Sequence, residues 1–550
     1  MASVMQWFLN PSTSRLTGIS IDPLVPMHIV SLCRFTFAAF VISAPASAQT
    51  LLPGPFPGAD VVEIEAGRLD AALAALPAQI EETMERSNVP GIAVAVVHDG
   101  EVVYAEGFGV RNIETGEPIT PDTVFVAASL SKSVTASVAA IAVAKGQIGW
   151  DDVANDHLPA LQLSDPYIRD HATIGDFFAH RTGLPHAAGD DLEDLGFDRD
   201  TVIARLVAHQ MNRFRRDYAY ANFGTTIGAE AVAAAAGMAW EDLADAYLFE
   251  PLGMTSTSYR NADYMAAENR ALIHAMETGE PLALFERNPD PQAPAGGLSS
   301  SVLDMAKWLN LILTGGVSDD IELFGPGDLL PAIQPQIVSS PSPMAGGRTD
   351  TYGYGFNVGV TPTGRVTLSH SGAFVLGAAA RFVMLPGDDL GIVVLTNAGP
   401  VGAAEAIAAD FMDHYQFGEA SRDWYAGFNG LMAGYMVPAG DLAGLPAPAD
   451  APENTDLSSY SGVYGNAYFG PLTISEEVDG LVAELGPEPM QFPLEPWSEG
   501  VFAMSPRSEN APAGSLSSVT FGEDANGNRT VRIDYLDRDG LATWTEGLAQ

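Results

Sequence analysis

The sequence predicts an α/β domain, an antiparallel sheet flanked by helices with an inserted helical lobe, followed by a small all-β domain. Three observations predict it. Strand-like runs occupy residues 91–110, and a mostly helical region continues to about residue 315. A second strand block then runs from Tyr352 to Thr396. Strands at both ends of one region, with helices between them, fold most simply as a single sheet carrying an inserted lobe. Finally, after residues 438–454, rich in Pro, Ala and Gly, only short strands and turns remain.

Each element has a local cause. GIAVAVVH and EVVYAEGFGV are Val-rich runs separated by Asp99-Gly100, which predicts a hairpin. Residues 129–145, SLSKSVTASVAAIAVAK, are Ala-rich and end at Gly146, which predicts a helix. ARFVML and GIVVLTN flank Pro386-Gly387-Asp388-Asp389, a second hairpin signal. A helix is expected near 402–415. From Leu457 onward come SGVYGN, PLTISEE, GLVAEL, VFAMSP, SVTFGE, RTVRIDYL and LATWTE, punctuated by Asp479-Gly480, Asn526-Gly527 and Asp539-Gly540. That pattern predicts a sandwich or partial barrel.

Composition narrows the class of function. The chain has 550 residues, 47% of them apolar and 17% charged, which describes a globular protein of several domains. Its 69 acidic and 26 basic residues give a net charge of −43, a surface that repels phosphate backbones and anionic lipid. Nucleic acid is therefore not an expected partner. Only three lysines occur, Lys132, Lys145 and Lys307, so each carries weight as a choice over Arg. The single cysteine, Cys33, excludes an intramolecular disulfide and any Cys-rich metal site.

Residues 35–44 form a short apolar stretch, followed by Ala46-Ser47-Ala48. This reads as a signal peptide, with the first 26 residues an upstream extension. The expected layout is an extension and signal peptide over 1–48, a catalytic domain over 49–437, a linker over 438–456 and the all-β domain over 457–550. The protein is expected to be exported, periplasmic or secreted, and no stretch is long enough to span a membrane as a helix.

The strongest chemical signal is Ser129-Leu130-Ser131-Lys132. Three residues apart at the start of a helix, the hydroxyl and the amine share a face. The helix N-terminus favours negative charge developing on oxygen. Neither other lysine has Ser three residues before it. Tyr220-Ala221-Asn222 precedes a helix-like run, although Tyr259-Arg260-Asn261 and Tyr464-Gly465-Asn466 fit the same Tyr-x-Asn pattern. His370-Ser371-Gly372 ends a strand; His98-Asp99-Gly100 matches too, but there the turn explains it.

The order and setting of these motifs resemble the penicillin-recognising serine hydrolases. The branch in question holds class C β-lactamases, D-alanyl-D-alanine carboxypeptidases, D-aminopeptidases and related esterases. FVAASLSKSVTA, IGDFFAHRTGLP, FEPLGMTSTSY, GGLSSSVLDMAKWL and YGYGF are similar to stretches of that family, over roughly residues 85–415. The resemblance implies a β-lactamase-like catalytic fold, and the terminal module resembles the lipocalin-like domains attached to it.

The resemblance also implies roles. Ser129 is the expected nucleophile, forming an acyl-enzyme with help from Lys132 and Tyr220. A neutral Lys132 needs its pKa to fall from ~10.4 to near 7, costing about 4 kcal/mol, and a Tyr220 phenolate needs a similar fall. The residues read as a coupled unit without a single assigned base. Asn222 is expected to bond substrate or Lys132, and the N–H groups of Ser129 and Ala373 to hold the oxyanion, with Gly372 permitting close approach.

His370 stands where β-lactamases of this branch usually have Lys, which points towards peptides. It is read either as a cation for a substrate carboxylate or as a neutral group orienting Tyr220. Phe223, Phe356 and Phe374 flank the motifs as pocket or core residues. No cofactor or metal is expected: His171, His180 and His186 lack ligand spacing, and His180 reads as structural. The acidic run at 190–200 lacks calcium-loop spacing and reads as a solvated loop over the site.

The expected activity is hydrolysis of peptide or amide bonds in a small-molecule or short-peptide substrate. A carboxylesterase or weak β-lactamase is the alternative, as is a penicillin-binding receptor that β-lactams acylate with little turnover. The all-β domain is read as a cap over the site, an oligomerisation module or a stabiliser.

Overall fold

The computed structural model describes residues 63–276, 279–318, 321–449, 456–508 and 510–548. The signal-peptide reading, Cys33 and residues 450–455 of the expected linker lie outside them. Helix α1 (Arg68–Ser87) leads into strand β1 (Gly91–His98) and strand β2 (Glu101–Gly109). Asp99 and Gly100 both take positive φ, 49° and 80°, as a tight hairpin of this hand requires. Six further strands complete the main sheet: β3 (Ile337–Ser340), β4 (Asp350–Tyr352), β5 (Asn357–Val360), β6 (Val366–Phe374), β7 (Ala378–Leu385) and β8 (Leu390–Thr396). Their order is β2-β1-β8-β7-β6-β5-β4-β3, so the two ends of the domain meet at β1 and β8. Ile92 pairs with Thr396 and His98 with Leu390.

Burial explains the composition of these strands. In β1 the residues Gly91–Val97 are all buried, because helices cover both faces. Ala93, Ala95 and Val97 face the helical lobe, while Ile92, Val94 and Val96 pack beneath α1. Each such Val or Ile contributes about 1.5–3 kcal/mol relative to exposure. Edge strand β2 is covered less: Glu101, Val102, Val103, Glu106 and Gly109 are exposed and no residue is fully buried. Helix α2 (Ser131–Ala144) is buried on every side from Ser131 to Ala142, which its small side chains permit.

The lobe then supplies α3 (Ile174–Phe178), α4 (Asp190–Asp194), α5 (Asn222–Ala236) and α6 (Val302–Leu313). Helix α7 (Ala403–Phe417) packs against α1, and α8 (Trp424–Met432) follows from a segment whose sequence is ambiguous.

The acidic run differs from its expected form. Residues 190–194 are helical, with Leu192 and Glu193 buried, because Leu192, Leu195 and Phe197 enter the core. Glu193 accepts two bonds from Arg287 at 3.0 Å and one from Gln292 at 2.5 Å. It is a packed wedge. No group of three His, Cys, Asp or Glu able to hold a metal occurs among the described residues.

The C-terminal domain is a closed eight-stranded barrel: β9 (Gly462–Gly465), β10 (Leu472–Glu477), β11 (Gly480–Leu485), β12 (Met490–Ser498), β13 (Val501–Met504), β14 (Ser517–Glu523), β15 (Arg529–Ile533) and β16 (Thr543–Glu546). The closed barrel fits the lipocalin-like domain that the resemblance implies; the strand pattern alone predicts a sandwich or partial barrel, because β12 is hidden in the sequence by Pro493 and Pro496. The strand accommodates Pro496 beside a register shift that runs from it to Ser498. The start of the expected linker is fastened to the barrel. Ala439 N–H donates to Ser515 Oγ at 2.9 Å, and Leu442 N–H to Leu516 O at 3.1 Å. No helix among the described residues is long and apolar enough to cross a membrane.

Candidate active site

Ser129 sits in a single 3-10 turn, Ala128–Leu130, that runs into α2. Ala128 adopts φ 47°, a left-handed conformation that costs a residue with a Cβ ~1–2 kcal/mol. His180 and Ala187, on the loop facing it, are left-handed too, at 54° and 55°. Strain of this kind collects where a backbone must present a side chain in one place.

Lys132, fully buried one turn after Ser129, points its Nζ at three acceptors. Ser129 Oγ lies at 3.2 Å, Asn222 Oδ1 at 2.7 Å and Ala295 O at 2.8 Å. The last two are satisfied by the two N–H groups of a neutral amine, whose lone pair then faces Ser129. An ammonium satisfies all three. Lys132 Nζ also stands 4.5 Å from the centroid of the Tyr220 ring.

Tyr220 is presented by an extended segment laced to the strained loop. Ala219 N–H donates to His180 O at 3.0 Å, Ala187 N–H to Tyr220 O at 2.8 Å, and Ala221 N–H to His180 Nδ1 at 3.3 Å. His180 is thus a scaffold residue, and its ring packs 4.5 Å from that of Tyr220. Burial pushes the Tyr220 phenol well above its ordinary pKa, and a hydrogen bond with Ser129 offsets only part of that.

Asn222 opens α5, but its side chain caps nothing. Oδ1 accepts from Lys132, and Nδ2 donates to Asp190 Oδ2 at 3.0 Å. Burial raises the Asp190 carboxyl to about 6, and its Oδ1 is buried without a hydrogen-bond partner among the described residues.

Strand β6 closes the site. Its pairing with β5 ends at Ser369, so residues 370–374 run past Ser129 with that edge unpaired to β5. A Cβ on Gly372 would lie 2.3 Å from Ala127 O and 2.9 Å from Ser129 N, so only glycine allows this approach. Ala373 and Phe374 continue the wall of a cavity of about 110 Å³ that also meets Ser129, Tyr220, Asn222 and His370.

His370 takes the neutral of the two states expected of it. Burial, then the positive charge of Lys132, pushes its imidazole down to about 3, so it is neutral near pH 7. Nδ1 donates to Ser371 O at 2.6 Å, which leaves Nε2 to accept from Tyr352 Oη at 3.0 Å. Its ring stands 6.4 Å from that of Tyr220 and holds Tyr352 instead. A neutral, doubly bonded imidazole is no anchor for a carboxylate. Phe223 and Phe356 are fully buried core residues, whereas Phe374 reaches the cavity.

Sequence reasoning brings Ser129, Lys132, Tyr220, Asn222, His370, Gly372 and Ala373 to one cleft, and the structure places all of them there. It missed Asp190, Met432, Tyr435 and, from the barrel, Asn510, which line the same cavity. The helical spacing of Leu192 and Leu195 within the acidic run was the signal that could have found Asp190.

A family model described as Beta-lactamase matches residues 76–416, and one described as a domain of unknown function (DUF3471) matches 446–540. Unguisins hydrolase ungD′ of Aspergillus campestris is 28% identical over 42% of this chain, and the chain spans 46% of that protein. Unguisins hydrolase ungD of Aspergillus violaceofuscus is 25% identical over 72% of this chain and 75% of its own length. The D-aminopeptidase of Gluconobacter oxydans is 26% identical over 62% of this chain and 61% of its own. Among solved structures, the octameric penicillin-binding protein homologue from Pyrococcus abyssi superposes with a TM-score of 0.53 at 20% identity. It covers 86% of this chain and 99% of that one. With a matching model over well more than half of its length, the chain belongs to the Beta-lactamase family of serine hydrolases.

Proposed function

We propose that the protein hydrolyses small peptide or amide bonds, and esters of similar size, through an acyl-enzyme on Ser129. The observation that carries this reading is the environment of Lys132 Nζ. Two fixed acceptors, Asn222 Oδ1 and Ala295 O, orient the amine towards the Ser129 hydroxyl. Lys132 takes the Ser129 proton as Oγ attacks the carbonyl carbon, since burial disfavours the Tyr220 phenolate. The oxyanion is held by the N–H groups of Ser129 and Ala373, an arrangement that typically contributes about 100–1,000-fold per donor. The bond to the leaving group breaks, and Tyr220 passes a proton to the departing amine or alkoxide, replenished from Lys132. Water then attacks the ester by the reverse route, releasing the acid and regenerating Ser129.

The small cavity favours small acyl groups, and kinship with a D-aminopeptidase supports peptide or amide substrates. The apolar stretch and Ala46-Ser47-Ala48 support export before action. Turnover of p-nitrophenyl acetate, aminoacyl p-nitroanilides of both hands and nitrocefin tests the reading. Hydrolysis lost in Ser129→Ala supports it. Full activity in that variant overturns it, and a stable β-lactam adduct without product points to a receptor.

A further inference from the structure

Between the barrel and α4 lies a second cavity of about 550 Å³. Its floor is one end of the barrel, where half-buried Leu536 and Pro506 lie with buried Leu485, Phe492 and Met504. The lumen behind is filled by buried Tyr464, Phe469, Phe502 and Trp544, so the space is a cup and not a channel. Ala187, Asp190 and Asn510 line both this cup and the catalytic cavity. Asn510 belongs to the barrel segment after β13. Its N–H donates to Ser508 Oγ at 3.0 Å, and Ser508 Oγ donates to Asp194 Oδ2 at 2.6 Å. The barrel therefore contributes a wall to the catalytic cavity itself.

Size and chemistry bear on what fits. A cavity of about 110 Å³ at Ser129 holds little beyond the reacting group, whereas 550 Å³ lies in the range of small-molecule sites, about 300–1,000 Å³. Much of the charge on the cup's wall is already engaged. Asp191 Oδ1 accepts from Tyr468 Oη at 2.6 Å, and Arg532 is paired with Asp534 and Asp537. On the apolar side, half-buried Leu536 and Pro506 keep surface towards the cup, while Leu485, Phe492 and Met504 are already buried.

We propose that this cup is an extended substrate subsite. It takes the apolar side chain of a peptide-like substrate whose scissile carbonyl lies on Ser129 and whose backbone passes Ala187, Asp190 and Asn510. The inference rests on the hydrolase reading above and adds that the barrel selects the substrate.

The test uses full-length protein and two chromogenic series, one lengthened on the acyl side and one on the leaving-group side. Each compares Gly with Leu one and two residues from the scissile bond. In one series Leu raises kcat/KM over Gly by about 10–100-fold, the worth of burying one such side chain. Leu536→Trp, which shrinks the cup, removes that ratio. Leu536→Ala, which enlarges it with less demand on folding, shifts preference from Leu to Trp. Equal values for Gly and Leu in both series, or a ratio unchanged in both variants, overturn the proposal. Fluorophosphonate labelling of Ser129 in the same samples separates the two readings. Labelling with flat ratios removes the subsite alone, and absence of both labelling and turnover removes both.

Discussion

Asp190 and Asp191 are neighbours on one short helix, and burial raises both carboxyls to about 6, yet they serve different regions. Asp190 accepts from Asn222, whose other end holds Lys132. Asp191 accepts from Tyr468 of the barrel. The same chemistry fixes a catalytic amine on one side and fastens a domain on the other. Helix α4 therefore couples two functions through adjacent residues, and substitutions there separate them.

The largest expected effect lies at the catalytic end. Ser129→Ala and Lys132→Ala each lower kcat/KM for a p-nitrophenyl ester by at least about 1,000-fold, with an unchanged circular dichroism spectrum. Gly372→Ala comes next. Its Cβ would press on Ala127 O at 2.3 Å and move β6 off Ser129, so turnover falls about 100-fold or more. Asp190→Ala frees Asn222 and costs about 10–100-fold in kcat, measured by steady-state kinetics at constant Tm. Asp191→Ala does the opposite. It strands the Tyr468 hydroxyl, lowers stability by about 1–3 kcal/mol in a denaturant titration and leaves short-ester turnover within about twofold. If both variants lose activity and stability in equal measure, the division of labour on α4 does not exist.

The smallest effect is on pH dependence. A carboxyl raised from 3.8 to about 6 in the fold contributes stability that is complete below pH 3.8 and lost as pH rises through about 6. Asp191→Asn keeps an acceptor for Tyr468 and cannot titrate. Relative to this variant, the wild type should lose Tm between pH 4 and 7; parallel profiles would contradict the assignment. His370, lowered to about 3, and His186 and His209, lowered to about 4, act in reverse. Their contribution is present above pH 6.5 and lost as pH falls towards 3.

What the sequence reveals follows from range. Ser129 and Lys132 are three residues apart, so helical geometry alone joins them. The β1–β2 hairpin is marked by its own Asp99-Gly100, and the buried faces of β1 by an unbroken apolar run. Asn222 meets Lys132 across 90 residues, and only the family pattern makes that contact legible. Asp190 was hidden because acidic residues ordinarily face water, and here the apolar residues between them carry the helix inward. Strand β12 was hidden because two prolines ordinarily break a sheet. The neutral state of His370 depends on its burial beside Lys132, and its tautomer on Tyr352 and the Ser371 carbonyl, partners whose placement no spacing rule predicts.

The central claim is that Ser129 is the activated hydroxyl of this chain. Intact-protein mass spectrometry after exposure to a fluorophosphonate, followed by peptide mapping, tests it most directly. The account predicts one adduct, carried by the peptide containing Ser129 and absent from Lys132→Ala. An adduct on another residue, or equal labelling without Lys132, would contradict it.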